Sequence, residues 1–149
     1  MNFLKIAAFI SLLLTSLYAV TTLASPSRDE YRFQVTRVYD GDTFYIRIAG
    51  IPNELSEIGV RVRGVDTPER LAKCKSEELK ALAATSFTYR LIRDNNQVVY
   101  LSDLKWDKYG GRINAVVHVG ESRIHLASTL IKHGHARPYD GGKRKGWCE

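Results

Sequence analysis

The sequence predicts an α+β fold, mainly β: a small closed barrel of five or so short strands carrying one inserted helix and a short second helix. Three observations predict it. Short runs of alternating polar and apolar residues recur from Arg32 to Val119. One longer stretch, Ser76 to Ile92, switches to helical spacing before the fourth strand. Turn residues punctuate the chain between the runs, and antiparallel closure would protect the strand edges.

The first segment stands outside that fold. Residues 1–24 carry a single charge, Lys5, followed by an apolar run from Ile6 to Val20 broken only by Ser11, Thr15 and Ser16. Thr22-Leu23-Ala24 then supplies small residues where a signal peptidase reads. The run falls short of the ~20 residues that span a bilayer, and no basic cluster follows to stop transfer. Cleavage near Ala24 is expected. It would leave 25–149 as one domain, exported to the periplasm or the medium and with no membrane attachment.

The whole chain of 149 residues has 22 Lys+Arg against 16 Asp+Glu, a net charge of +6 that becomes +5 without Lys5. A composition 26% charged and 44% apolar excludes a disordered or collagen-like chain, and the length argues against two full domains. The positive balance favours a polyanionic partner, most simply nucleic acid.

After a polar lead-in (25–30), Arg32–Val38 and Phe44–Ile48 read as strands joined by the turn Asp40-Gly41-Asp42-Thr43. Residues 49–59 read as a loop and Val60–Val65 as a third strand ended by Pro68. The helix would run from Ser76 to about Ile92 with Leu79, Leu82, Ala83, Phe87 and Leu91 on one face, and Asp94-Asn95-Asn96 stops it. Gln97–Leu101 and Arg112–Val119 are strands on either side of a charged loop, 103–111. Leu126–Lys132 is the second helix, and the tail from Arg137 reads as irregular.

Cys74 and Cys148 form an expected disulfide, because two cysteines in an exported domain usually pair. Such a bridge closes a loop of about 75 residues and is worth roughly 4 kcal/mol in the chain-entropy account. Two cysteines alone cannot supply a four-ligand zinc site.

Chemistry concentrates in two acidic turns. Asp40 and Asp42 flank a glycine, and Asp66 and Glu69 flank Thr67-Pro68. Carboxylates gathered this way repel unless a cation or arginines neutralise them, and an all-oxygen set suits Ca²⁺ or Mg²⁺ better than zinc. Alternation puts Arg61 and Arg63 on the strand face that points toward the Asp66 loop, and Arg112 opens another strand. Guanidinium groups match phosphate oxygens in a bidentate fork. The histidines, including His133 and His135, do not form a histidine-metal nuclease motif. The basic tail (Arg137, Tyr139, Lys143, Arg144, Lys145) reads equally as a nucleic-acid contact or a solvated end.

Three blocks, Val38-Tyr39-Asp40-Gly41-Asp42-Thr43, then Arg61 ahead of Val65-Asp66-Thr67-Pro68-Glu69, then Asp107-Lys108-Tyr109-Gly110-Gly111-Arg112, resemble in order the signatures of staphylococcal-nuclease-type thermonucleases. They span about residues 31–137. The resemblance implies an oligonucleotide-binding (OB) barrel and Ca²⁺-dependent cleavage of DNA and RNA at the 5′-oxygen, leaving 3′-phosphate ends. It implies Asp42, Asp66 and the main chain of Thr67 as metal ligands, with Asp40 in support. Glu69, Arg61 and Arg112 match the family's essential glutamate and arginines, and Lys108 and Tyr109 match residues that contact a nucleotide phosphate.

This chain departs from the pattern in three places. The loop with Ile51-Pro52-Asn53-Glu54 is longer, Gly111 adds a residue before Arg112, and the long C-terminal helix of the family is not found before Glu149. Gly110-Gly111 is expected to absorb the extra residue as a bulge where the loop enters the strand. The disulfide is expected to fix the tail in place of that helix. A monomer without a stable protein partner is expected. The competing reading is an OB-barrel module that binds nucleic acid without cutting; the presence of Asp42, Asp66, Glu69 and both arginines favours the enzyme.

Overall fold

In the computed structural model, residues 29–108 and 110–148 are described, so the leader expected at 1–24 and the candidate Tyr109 lie outside the described residues. Strands β1 (Tyr31–Val38), β2 (Thr43–Arg47) and β3 (Glu57–Val62) run as an antiparallel meander. β1 also pairs with β5 (Val98–Trp106), which pairs with β6 (Arg112–Val119). The barrel closes where β3 meets β6 with Val60 beside Ile113 and Arg61 beside Asn114. That closing pair is parallel, so the five-stranded barrel is mixed rather than wholly antiparallel. A helix and β5 lie between β3 and β6 in the chain, the long connection that a parallel pair needs.

Inward positions carry the core. Phe44, Ile46, Val60, Val62, Leu101 and Val117 are all buried and alternate with residues of the other face, of which Thr43 and Tyr100 are also covered. Arg61 sits between Val60 and Val62 and is thereby set on the outer face beside Thr43 and Asn114.

The third strand lies three residues earlier than the alternation suggests, so that Glu57–Gly59, expected as loop, are strand. β3 ends at Val62, Gly64 turns with a positive φ of 83°, and Val65–Asp66 forms a separate strand, β4. β4 pairs with β8 (Arg137–Pro138), so the start of the tail is ordered against the site instead of irregular. β7 (Ile124–His125) adds to β6 and leads into α2 (Leu126–Lys132). The charged loop also shrinks. β5 continues past an irregularity between Ser102 and Lys105, and Lys105 and Trp106 pair with Asn114 and Ile113.

α1 (Lys75–Asp94) rests on a different face from the one its leucines indicate. Its buried residues are Glu77, Ala81, Ala84, Thr88 and Ile92. Phe87 and Leu91 reach the core partly, whereas Leu79 and Leu82 remain 57% and 59% exposed. The cause is proximity: a Cβ placed on Gly41 would come 2.8 Å from Ala84 Cβ and 2.9 Å from Thr67 Cγ2. Only small residues allow the helix that close to the turn, and Thr88 Oγ1 adds a hydrogen bond to the Gly41 carbonyl at 2.7 Å. At the helix start, the Glu77 carboxylate accepts from the Lys73 backbone N–H at 2.8 Å and ties the incoming chain to the first turn.

Candidate active site

The turn between β1 and β2 folds tightly because Thr43 O accepts from the N–H groups of both Tyr39 and Asp40, at 2.9 and 3.1 Å. Asp40 Oδ1 accepts from the Asp42 N–H at 3.1 Å, an Asx-type contact that shapes the turn. Asp42, 1% exposed, is thus driven inward. Its Oδ2 accepts from the Thr67 N–H at 3.1 Å, and its Oδ1 accepts from Thr43 Oγ1 at 3.1 Å and from Arg61 Nη1 at 2.9 Å. The two acidic turns are therefore tied directly to each other.

Arg61 also lies 3.9 Å from Asp66 Oδ1, so one guanidinium spans the carboxylates of both turns. Burial pushes the Asp42 carboxyl up to about 6, with Asp40 adding to the rise and Arg61, the Thr67 N–H and Thr43 opposing it. The local donors leave the charge of Asp42 only partly met. An all-oxygen set of Asp42, Asp66 and Thr67 with such a deficit fits a hard divalent cation, and the chemistry of the donors excludes a preference for soft metals.

Glu69 is exposed on the loop after β4, beside the same site. Arg63, which alternation puts with Arg61, turns instead to Asp103 and takes no part. Arg112 shares the outer face with Arg61, next to Gly59, whose missing side chain leaves room for its stem: an added Cβ would meet Arg112 Cγ at 3.4 Å. Asp107 Oδ2 accepts from Arg112 Nε at 2.9 Å and Nη2 at 2.6 Å. The extra residue Gly111 is taken up inside the turn, where Gly110 and Gly111 both adopt positive φ (77° and 72°), and not by a bulge at the strand entrance. Arg112 consequently begins β6 in register with Gly59. Lys108 lies in that same turn, exposed.

Two residues join this site from the tail: Arg144, read from the sequence only as a nucleic-acid contact or a solvated residue, and Trp147, which the sequence did not single out. Arg144 pairs with both Asp66 and Glu69. Trp147, 7% exposed, donates its indole N–H to Asp66 Oδ2 at 3.2 Å. The expected disulfide Cys74–Cys148, with Cα atoms 6.0 Å apart, holds this segment against the start of α1. The buried carboxylate of Glu77 lies beside those two sulfurs and holds the Lys73 N–H, so this group of Cys74, Cys148 and Glu77 is a crosslink and a tie at the helix start. The signal available in the sequence was Cys148 itself, since residues next to a crosslink are held; nothing in it said against what.

Comparison with known proteins gives two matches. The family described as "Staphylococcal nuclease homologue" matches residues 59–146, over half of the chain. That stretch contains Arg61, Asp66, Thr67, Glu69, Lys108, Tyr109 and Arg112, while Asp40 and Asp42 lie ahead of it. An uncharacterized protein of Methanocaldococcus jannaschii is 31% identical over 133 residues, 76% of this chain and 61% of that protein. The chain thus spans about three fifths of the length of that relative.

Proposed function

From a chain that belongs to the family of staphylococcal nuclease homologues, we propose a nuclease that hydrolyses phosphodiester bonds of DNA and RNA. The observation that carries this reading is Asp42, Asp66 and Arg61 gathered at one buried point, with Glu69 exposed beside it and Arg112 on the same outer face. The finer reading assigns Ca²⁺ to Asp42, Asp66 and Thr67, export of the chain by its leader, and 3′-phosphate products.

A bound Ca²⁺ would supply a Lewis acid for a phosphate oxygen and neutralise the buried carboxylates. The chain's own residues do the rest. Arg61 and Arg112 present guanidinium forks to the charge that grows on the equatorial phosphoryl oxygens. Glu69, exposed to solvent, orients an attacking water or takes its proton. Lys108 adds positive charge at the rim, where the polyanion arrives.

The test is cleavage of DNA and RNA by the purified domain with Ca²⁺ and with a chelator, beside a Glu69→Gln variant. Cleavage with Ca²⁺, none with chelator and a strong loss in Glu69→Gln are expected. Full cleavage in chelator would overturn the metal assignment. A second reading, a barrel that binds nucleic acid without cutting, draws on Arg144 and Trp147 engaging Asp66. Binding without cleavage in Ca²⁺ would establish it.

A further inference from the structure

Asp66 receives most of its side-chain partners from the far end of the chain. Trp147 takes Oδ2, while Arg144 takes Oδ1 and also Glu69. The backbone of Asp66 is paired in β4–β8 with Arg137, whose guanidinium stacks 3.7 Å over the Trp147 ring and donates to the Gly146 carbonyl at 2.8 Å. This forms a closed circuit from Asp66 through Arg137 and Trp147 back to Asp66. Lys80 Nζ donates to the Trp147 carbonyl at 3.4 Å, and Cys148 is bonded to Cys74. Trp147 is therefore fixed from three sides. Arg144 is not: its side chain is 35% exposed, and its loop begins at Gly141 and Gly142, both with positive φ.

We propose that this disulfide-latched tail is a working part of the nuclease site, with Trp147 as a positioning residue for Asp66 and Arg144 as a phosphate-binding residue. The inference rests on the nuclease reading. With Oδ2 held by the indole N–H, Asp66 offers Oδ1 outward. Arg144 would have to leave Asp66 Oδ1 for that oxygen to hold a cation, because both need it. Tethered three residues from Trp147, the released guanidinium stays at the site and can take an oxygen of the substrate phosphate. Without a cation it neutralises Asp66 and Glu69 in place of the metal.

The latch makes the arrangement redox-dependent. A thiol reductant such as dithiothreitol passes two electrons to the disulfide sulfurs. With two protons these become the thiols of Cys74 and Cys148, and the reagent closes to its own disulfide. The tail then loses its covalent anchor, and Asp66 its fixed indole donor. The site would be complete only where the disulfide forms.

The tests use the purified, oxidised protein, with Ca²⁺ binding followed by calorimetry in the absence of nucleic acid. Trp147→Phe keeps a ring but loses the N–H, and should weaken Ca²⁺ binding about tenfold. Arg144→Ala should bind Ca²⁺ several-fold more tightly and raise KM for an oligonucleotide about tenfold, with kcat less affected. In a Trp106→Phe background Trp147 is the sole tryptophan. With Arg144 also replaced by alanine, so that freeing the tail removes no competitor for Asp66 Oδ1, reduction should shift its emission to the red and weaken Ca²⁺ binding as Trp147→Phe does, with recovery on reoxidation. The reduction arm holds even where Trp147→Phe fails to fold. Unchanged Ca²⁺ affinity on reduction and in Arg144→Ala would overturn the proposal. So would a rise in kcat/KM of Arg144→Ala at saturating Ca²⁺, which would make the tail a plug. Oxidised wild-type protein that binds Ca²⁺ yet cleaves neither DNA nor RNA refutes the nuclease reading instead, since the calorimetric and fluorescence arms do not depend on cleavage.

Discussion

On the barrel side of the site, Asp42 and Thr67 are joined by a hydrogen bond across 25 positions of sequence, whereas on the tail side Arg144 and Trp147 reach Asp66 across 78 and 81. The first wall is made by two turns, the second donating its Thr67 N–H to the buried Asp42 carboxylate of the first. The second is held by one crosslink, one stacked arginine and a two-residue strand. Loop closure across a long separation costs entropy that local turns do not incur, so the tail needs its covalent anchor while the turns do not. The site thus has a permanent floor, the barrel side, and a conditional wall, the tail.

Removing the anchor should have the largest effect. Replacing both Cys74 and Cys148 by serine is expected to lower the unfolding free energy by about 4 kcal/mol, the chain-entropy value for a loop of this length. Denaturant unfolding of wild type and variant under non-reducing conditions measures it. A loss below about 1 kcal/mol would mean that the tail is held by Trp147 and β8 without help from the bond.

On the floor, the sharpest probe is Arg112, which keeps its register beside Gly59 despite the extra glycine. Arg112→Lys keeps the charge but loses the fork that Asp107 now orients. A fall in kcat of two orders of magnitude or more, roughly 3 kcal/mol, is expected, with KM and Ca²⁺ affinity little changed. Near wild-type kcat would leave Arg112 as a strand-edge residue and shift the transition-state charge to Arg61 and Lys108.

Gly41 joins the floor to the helix, and its effect should be smaller. An alanine there would put a methyl 2.8 Å from Ala84 Cβ, on a helix that cannot retreat without losing the Thr88 hydrogen bond. Overpacking of this kind costs about 2 kcal/mol, read as a lower denaturation midpoint at unchanged slope. An unshifted midpoint would show that the turn can yield at this contact.

The contrast between the walls also separates what was legible from what was not. The turn Asp40–Thr43, the strand holding Arg61 and the segment Asp66–Glu69 are short-range features, and their residue types name their own geometry. The pairing of Cys74 with Cys148 follows from there being two cysteines. The destination of the tail does not, because glycines and lysines at 141–146 carry no periodicity and their conformation is set by Asp66 and Arg137 from elsewhere. The parallel β3–β6 closure is similarly invisible, since alternation gives the face of a strand and not its neighbour. Arg63 went to Asp103 because the irregularity near Ser102 puts that carboxylate within reach, which no local pattern shows.

The face of α1 is the most instructive miss, and it yields the smallest and most discriminating prediction. Apolar spacing favours the leucines, but the chain buries Ala81, Ala84, Thr88 and Ile92, because close approach to Gly41 selects small side chains over large ones. Leu82, 59% exposed, contributes little to the core. Leu82→Gln should therefore change the unfolding free energy by no more than about 0.5 kcal/mol, as a surface substitution on a helix does. The control is Ile92→Val, one buried methylene shorter at a residue 2% exposed, for which a loss of about 1 kcal/mol is expected. Both are read from denaturant midpoints under identical conditions. If Leu82→Gln instead costs more than Ile92→Val, the leucine face is the packed one. The helix would then be rotated, Thr88 would lose the Gly41 carbonyl, and the barrel-side wall would need a different support for Asp42.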